Sequence, residues 1–69
     1  MYTLHSLNQA LTQLHGRPIT LLVQDPVREY VQDSIDLGEV LGILEAPCNL
    51  EPFARVQTAG EFVAVLNNL

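Results

Sequence analysis

The sequence predicts an α+β fold, a small sheet of about three strands packed with two to three helices. Three observations point there. Leucines recur at helical spacing near the N-terminus, a short β-branched apolar run follows between turn residues, and a helix-start signature opens the last apolar stretch. The expected order is helix, strand, helix, strand, strand, helix, within one domain of 69 residues.

The first helix is expected from Ser6 to His15. Ser6 can cap it, with Gln9 three residues on as in a capping box. Leu4, Leu7, Leu11 and Leu14 form a stripe in steps of three, four and three. Gly16 suits the C-cap, Pro18 blocks continuation, and His15 in the last turn suits the helix dipole. Pro18 to Gln24 then reads as a strand, and the succession Leu21, Leu22, Val23 implies burial on both faces.

Asp25-Pro26 has the form of an N-cap followed by a first helical residue. A helix from Pro26 to Asp36 would place Val27, Tyr30, Val31 and Ile35 on one face. Asp25, Glu29, Asp33 and Asp36 would then share the other. The alternative is a hairpin with 27–32 as a second strand after a turn at Asp25-Pro26. Glu39 to Glu45 is apolar all round between its terminal acids, which fits a buried strand. A short helix capped by Asp36, with Glu39 at its third position, is the alternative there.

Residues 46–52 form a loop bracketed by Pro47 and Pro52, and Phe53 to Gln57 reads as a short strand. Thr58-Ala59-Gly60-Glu61 is a capping-box signature, so the closing helix is expected from Ala59 to Asn68. The stretch from Asp36 to Leu44 echoes the one from Thr58 to Leu66. One echo is two uses of a helix-start device, too little for a solenoid.

Composition bounds the function. Apolar residues make up 48% of the chain and charged residues 16%, which excludes a disordered tail. One cysteine excludes a disulfide-stapled scaffold. Three scattered arginines, no lysine and a net charge of −5 argue against a nucleic-acid binder that works through a basic face. The charged fraction lies well under the roughly 25% of ordinary soluble domains. A chain of this size also buries only about 60% of its unfolded surface. Apolar surface is therefore expected to be covered by another protein, as a homodimer or as an accessory subunit. No apolar run reaches the ~18 residues of a membrane span. The N-terminus lacks the basic and apolar regions of a signal peptide, which together with the free thiol gives a cytoplasmic expectation.

The candidate partner-binding residues are the acidic stripe Asp25, Glu29, Asp33 and Asp36, together with Val63 of the last helix. Seven of the eight acids lie between Asp25 and Glu51, so the stripe suits a basic partner approached by electrostatic steering, or a solvated face. Carboxylates four apart on one helix cannot wrap a calcium ion, and His5, His15 and Cys48 lack paired zinc-ligand spacing. The expectation is a regulatory or adaptor module that binds protein, with no catalysis, no cofactor, no metal and no small-molecule substrate. Two rivals differ in class. One is a DNA-linked dimeric regulator of antitoxin type, using Arg17, Arg28 and Arg55. The other is a small thiol enzyme using Cys48, which would need a nearby cation or helix N-terminus to activate it.

Overall fold

The first helix starts two residues earlier than its sequence signals imply. In the computed structural model, which describes residues 1–69, α1 spans Leu4–His15. The Thr3 hydroxyl accepts from the Ser6 N–H at 3.1 Å, and the Ser6 hydroxyl accepts from the Thr3 N–H at 3.2 Å. Ser6 is thus the third residue of a capping box whose cap is Thr3. Gly16 closes α1 at φ 68°, in the left-handed region that a Cβ disfavours. Leu7 and Leu11 of the leucine stripe are buried, and Leu4 and Leu14 pack against the core from its edge.

The expected strand at Pro18 to Gln24 belongs to no sheet, and Val23 and Gln24 lie in a turn. Its backbone bonds to side chains of α1 instead. Thr12 Oγ1 accepts from the Ile19 N–H at 2.9 Å and donates to the Ile19 carbonyl at 3.3 Å. Asn8 Oδ1 accepts from the Leu21 N–H at 2.8 Å, and Asn8 Nδ2 donates to the Leu21 carbonyl at 3.1 Å. The spacing explains the match. Four helical residues rise about 6 Å, and two extended residues rise about 6.6 Å. One edge of α1 therefore stands in for a neighbouring strand. Ile19 and Leu21 are buried, but Leu22 and Val23 are 56% and 59% exposed, so two-sided burial does not occur. Both lie at a turn that Asp25 closes by accepting from the Leu22 N–H at 2.8 Å.

Residues 26–36 form neither the expected helix nor the hairpin strand at 27–32. Pro26 is extended and makes a lone antiparallel bridge with Thr58. The Val27 N–H donates to the Gln57 carbonyl at 3.0 Å, and the Ala59 N–H donates to the Asp25 carbonyl at 2.9 Å. A single 3-10 turn, Val27–Glu29, follows. The second helix, α2, is Ser34–Ile43, because Asp33 rather than Asp25 supplies its cap.

The strand expected at Glu39 to Glu45 lies largely inside α2. Gly38, Gly42, Val40 and Ile43 all lower intrinsic helix propensity, which is why the run resembles a strand. Packing of Val40 and Leu41, both fully buried, overrides that preference. The helix ends with the Ala46 N–H donating to the Leu41 carbonyl at 2.9 Å and the Glu45 N–H to the Gly42 carbonyl at 3.1 Å. This is a Schellman closure in which Glu45, at φ 56°, occupies the place usually held by glycine.

The strand expected at Phe53 to Gln57 is also absent. A second 3-10 turn, Glu51–Phe53, carries Phe53 into the core, and Val56 is buried just beyond it. The closing helix, α3, spans Ala59–Leu66 behind the expected Thr58 and Glu61 capping box. The fold is therefore three helices with no strand or sheet, and the α+β expectation is corrected. Helix α1 packs against both α2 and α3, and the second 3-10 turn packs on α3. Phe53 and Phe62 join that contact, with ring centroids 4.6 Å apart. The chain ends are tied by Asn67, whose Oδ1 accepts from the Tyr2 N–H and whose Nδ2 donates to the Tyr2 carbonyl, both at 2.8 Å.

Candidate functional site, an apolar groove beside the start of the second helix

The irregular segments on either side of α2 enclose a groove of about 240 Å³. Its apolar lining is Val27, Val31, Leu37, Leu50, Phe53, Val56 and Phe62, with Ala54 at the surface. Three pieces of local structure place these residues. The first 3-10 turn buries Val27 and leads to the half-buried Val31. The second sets Leu50 and Phe53 opposite them. The cap and first turns of α2 supply Asp33, Ser34 and Leu37 as the remaining wall.

Arg28 holds two of these walls together. Its Nε donates to the Val56 carbonyl at 2.8 Å, and its Nη2 donates to the Ala54 carbonyl. A planar guanidinium can satisfy two neighbouring carbonyls at once, which a lysine ammonium does less well. Arg28 looked isolated in sequence because its acceptors lie 26 and 28 residues away.

The surround is acidic. Asp33 lines the groove, and its Oδ1 accepts from the Asp36 N–H at 2.9 Å. Asp36 Oδ2 in turn accepts from the N–H of Gln32, another lining residue, at 3.4 Å. Glu29 precedes Val31 by two residues, and Glu51 precedes Phe53 by two; both are exposed. Against these four acids stand Arg28 and Arg55.

The structure separates the acidic stripe that the sequence implied. Asp25 closes the turn after Leu22, Glu29 ends the first 3-10 turn, and Asp33 caps α2. Only Asp33 and Asp36 are brought together, and no single helix carries all four. Val63 is half-buried and packed against the core rather than standing free on α3. The exposed apolar side chains are elsewhere: Leu22, Val23, Ile35, Leu69 and Met1, with Ile35 70% exposed in the first turn of α2.

The other titratable candidates are dispersed. Cys48 is exposed in the loop after α2. His5 lies beside a second, polar depression with Asn8, Thr12 and Thr20. His15 Nε2 is 2.7 Å from the Tyr30 carbonyl, so that nitrogen carries a proton and donates. Its ring meets Tyr30 edge-on at 5.7 Å, and the Arg17 guanidinium lies 5.9 Å from the Tyr30 ring centre. No group of three or more His, Cys, Asp or Glu side chains is placed to hold a metal ion. Glu61 is held below the usual value of 4.5 by hydrogen bonds from the Thr58 N–H, the Gln57 N–H and the Thr58 hydroxyl.

In the sequence Val31 falls on the apolar face of an expected helix and Leu50 in a loop, with no pattern joining them. The available signal was Leu50 itself, a lone large apolar residue inside a polar loop bracketed by prolines. No protein-family model, no curated protein and no solved structure matches this chain. No helix is long and apolar enough to cross a membrane.

Proposed function

We propose that this chain is a small binding module that acts by associating with another protein and not by chemistry of its own. The observation that carries this reading is the open apolar groove walled by Val31, Leu37, Leu50 and Phe53. Apolar surface left in an open groove is stabilised by whatever covers it, at roughly 25 cal/mol per Å². A second copy is the weaker candidate, because two chains of net charge −5 repel. A single exposed thiol at Cys48 fits a reducing compartment such as the cytoplasm. A DNA-linked role is disfavoured by the use of Arg28 within the fold.

The test fills the groove without removing core. Ser34 and Ala54 are both exposed and both line it. Wild-type protein, Ser34→Trp and Ala54→Trp are used as baits under native conditions, with circular dichroism as the check on folding. The reading predicts a partner retained by wild type and lost by both folded variants. Retention of the same partner by both variants overturns it.

A further inference from the structure

Resting on that reading, we infer that the groove receives a basic segment of another protein, which inserts one large apolar side chain between lysine or arginine neighbours. Two quantities point to this occupant. The first is volume. Small-molecule sites begin near about 300 Å³, and an apolar cavity of about 150 Å³ already takes a benzene ring. At about 240 Å³ the groove has room for one leucine or phenylalanine side chain.

The second quantity is charge. Seven of the eight acids lie in the segment from Asp25 to Glu51 that builds most of the groove; Asp33 lines it, Asp36 accepts from the lining residue Gln32, and Glu29 and Glu51 are next in sequence to the lining residues Arg28 and Leu50. The opposing cations are few. Arg28 lines the groove and keeps its charge while bonded to the carbonyls of Ala54 and Val56, and Arg55 is the other nearby cation, so four acids face two bases. A cationic segment is drawn to such a rim, and an acidic one is repelled. The chain itself has no lysine, and Arg17 lies against Tyr30, so a second copy lacks the complementary charge.

The test uses two synthetic peptides of equal length around the same Leu-Phe centre, one flanked by lysine and arginine and one by glutamate. Each is titrated into 15N-labelled protein. The basic peptide is expected to shift the amides of Val31, Ser34 and Ala54. Its affinity is expected to fall at least tenfold between low salt and roughly 1 M salt. Reversing the rim with Glu29→Lys and Glu51→Lys is expected to weaken it about fivefold and to admit the acidic peptide. Equal binding of both peptides, or no shift at the groove amides with either, overturns the inference. So does a wild-type dimer in sedimentation that Ser34→Trp dissociates, since a second copy then fills the groove. Failure here with a partner still lost from the Ser34→Trp bait sinks only the occupant's chemistry. A basic peptide that binds while the bait results do not change sinks the reading of function instead.

Discussion

The carboxamide of Asn8 holds both backbone polar groups of Leu21, accepting at 2.8 Å and donating at 3.1 Å. Asn67 does the same for Tyr2, where the two chain termini meet. A primary amide carries a donor and an acceptor in nearly the geometry of a peptide unit, so each asparagine replaces one residue of a partner strand. The first of these pairs keeps the long connection from α1 to α2 in place, and that connection leads into the groove.

Asn8→Ala should therefore destabilise the protein by about 2 kcal/mol, the net worth of two part-buried hydrogen bonds. For a domain of this size that is a fall in Tm on the order of 10 °C. Asn67→Ala, whose bonds are exposed, should cost no more than about half as much. Thermal and urea unfolding of the two variants check the ranking. Equal losses would remove the special place given to Leu21.

The glycines should respond in opposite directions. A Cβ at Gly42 meets nothing within 4 Å, so Gly42→Ala should stabilise α2 by roughly 0.5–1 kcal/mol. Gly16 also has open space, but at φ 68° Gly16→Ala should cost about 1 kcal/mol. At Gly60 a Cβ would lie 2.4 Å from Val23 Cγ1 and 3.1 Å from the Val23 carbonyl. Gly60→Ala should be destabilising alone and milder beside Val23→Ala, by a coupling of about 0.5 kcal/mol or more. A double-mutant cycle by chemical denaturation reads this directly, and strict additivity would contradict the contact.

Asp33, as the cap of α2, should cost about 1 kcal/mol when replaced by alanine. Asp36→Ala should cost less, because its one backbone bond is long at 3.4 Å. Helical 13Cα shifts at Ser34 and Ile35 report where α2 begins. Loss of helicity there in Asp36→Ala but not in Asp33→Ala would restore Asp36 as the cap.

Glu61 links stability to pH. Its folded carboxyl is held below 4.5, first by the Thr58 N–H and then by the Gln57 N–H. A depressed folded pKa stabilises the native state fully above the unfolded value, and that contribution disappears as pH falls through the folded value. Wild type should thus be more stable than Glu61→Gln at neutral pH, with the difference closing below the usual glutamate range. A difference that widens on acidification would reverse the sign and contradict the capping box.

What the sequence made legible was local. The Thr58 and Glu61 box, the Gly16 stop and the leucine stripe of α1 each depend on residues within one or two turns, and all three are found. The strands were misread because an apolar run such as Pro18 to Gln24 has the same composition whether its backbone meets a strand or the side chains of Asn8 and Thr12. The run around Val40 misled for a related reason, since tertiary burial supplied the helicity that Gly38 and Gly42 withhold. The groove was hidden because Val31, Leu37, Leu50 and Phe53 meet only after both 3-10 turns have formed, and no periodicity connects them.

The most direct test places a photo-crosslinking amino acid at Ala54, on the groove lip, and at Gln13, on the exposed face of α1. After irradiation with the natural partner pool, the linked peptides are sequenced by mass spectrometry. The account predicts adducts from position 54 alone, carrying a large apolar residue among lysines or arginines and lost in Ser34→Trp. Equal labelling from both positions, or adducts to acidic segments or to the chain itself, would contradict it.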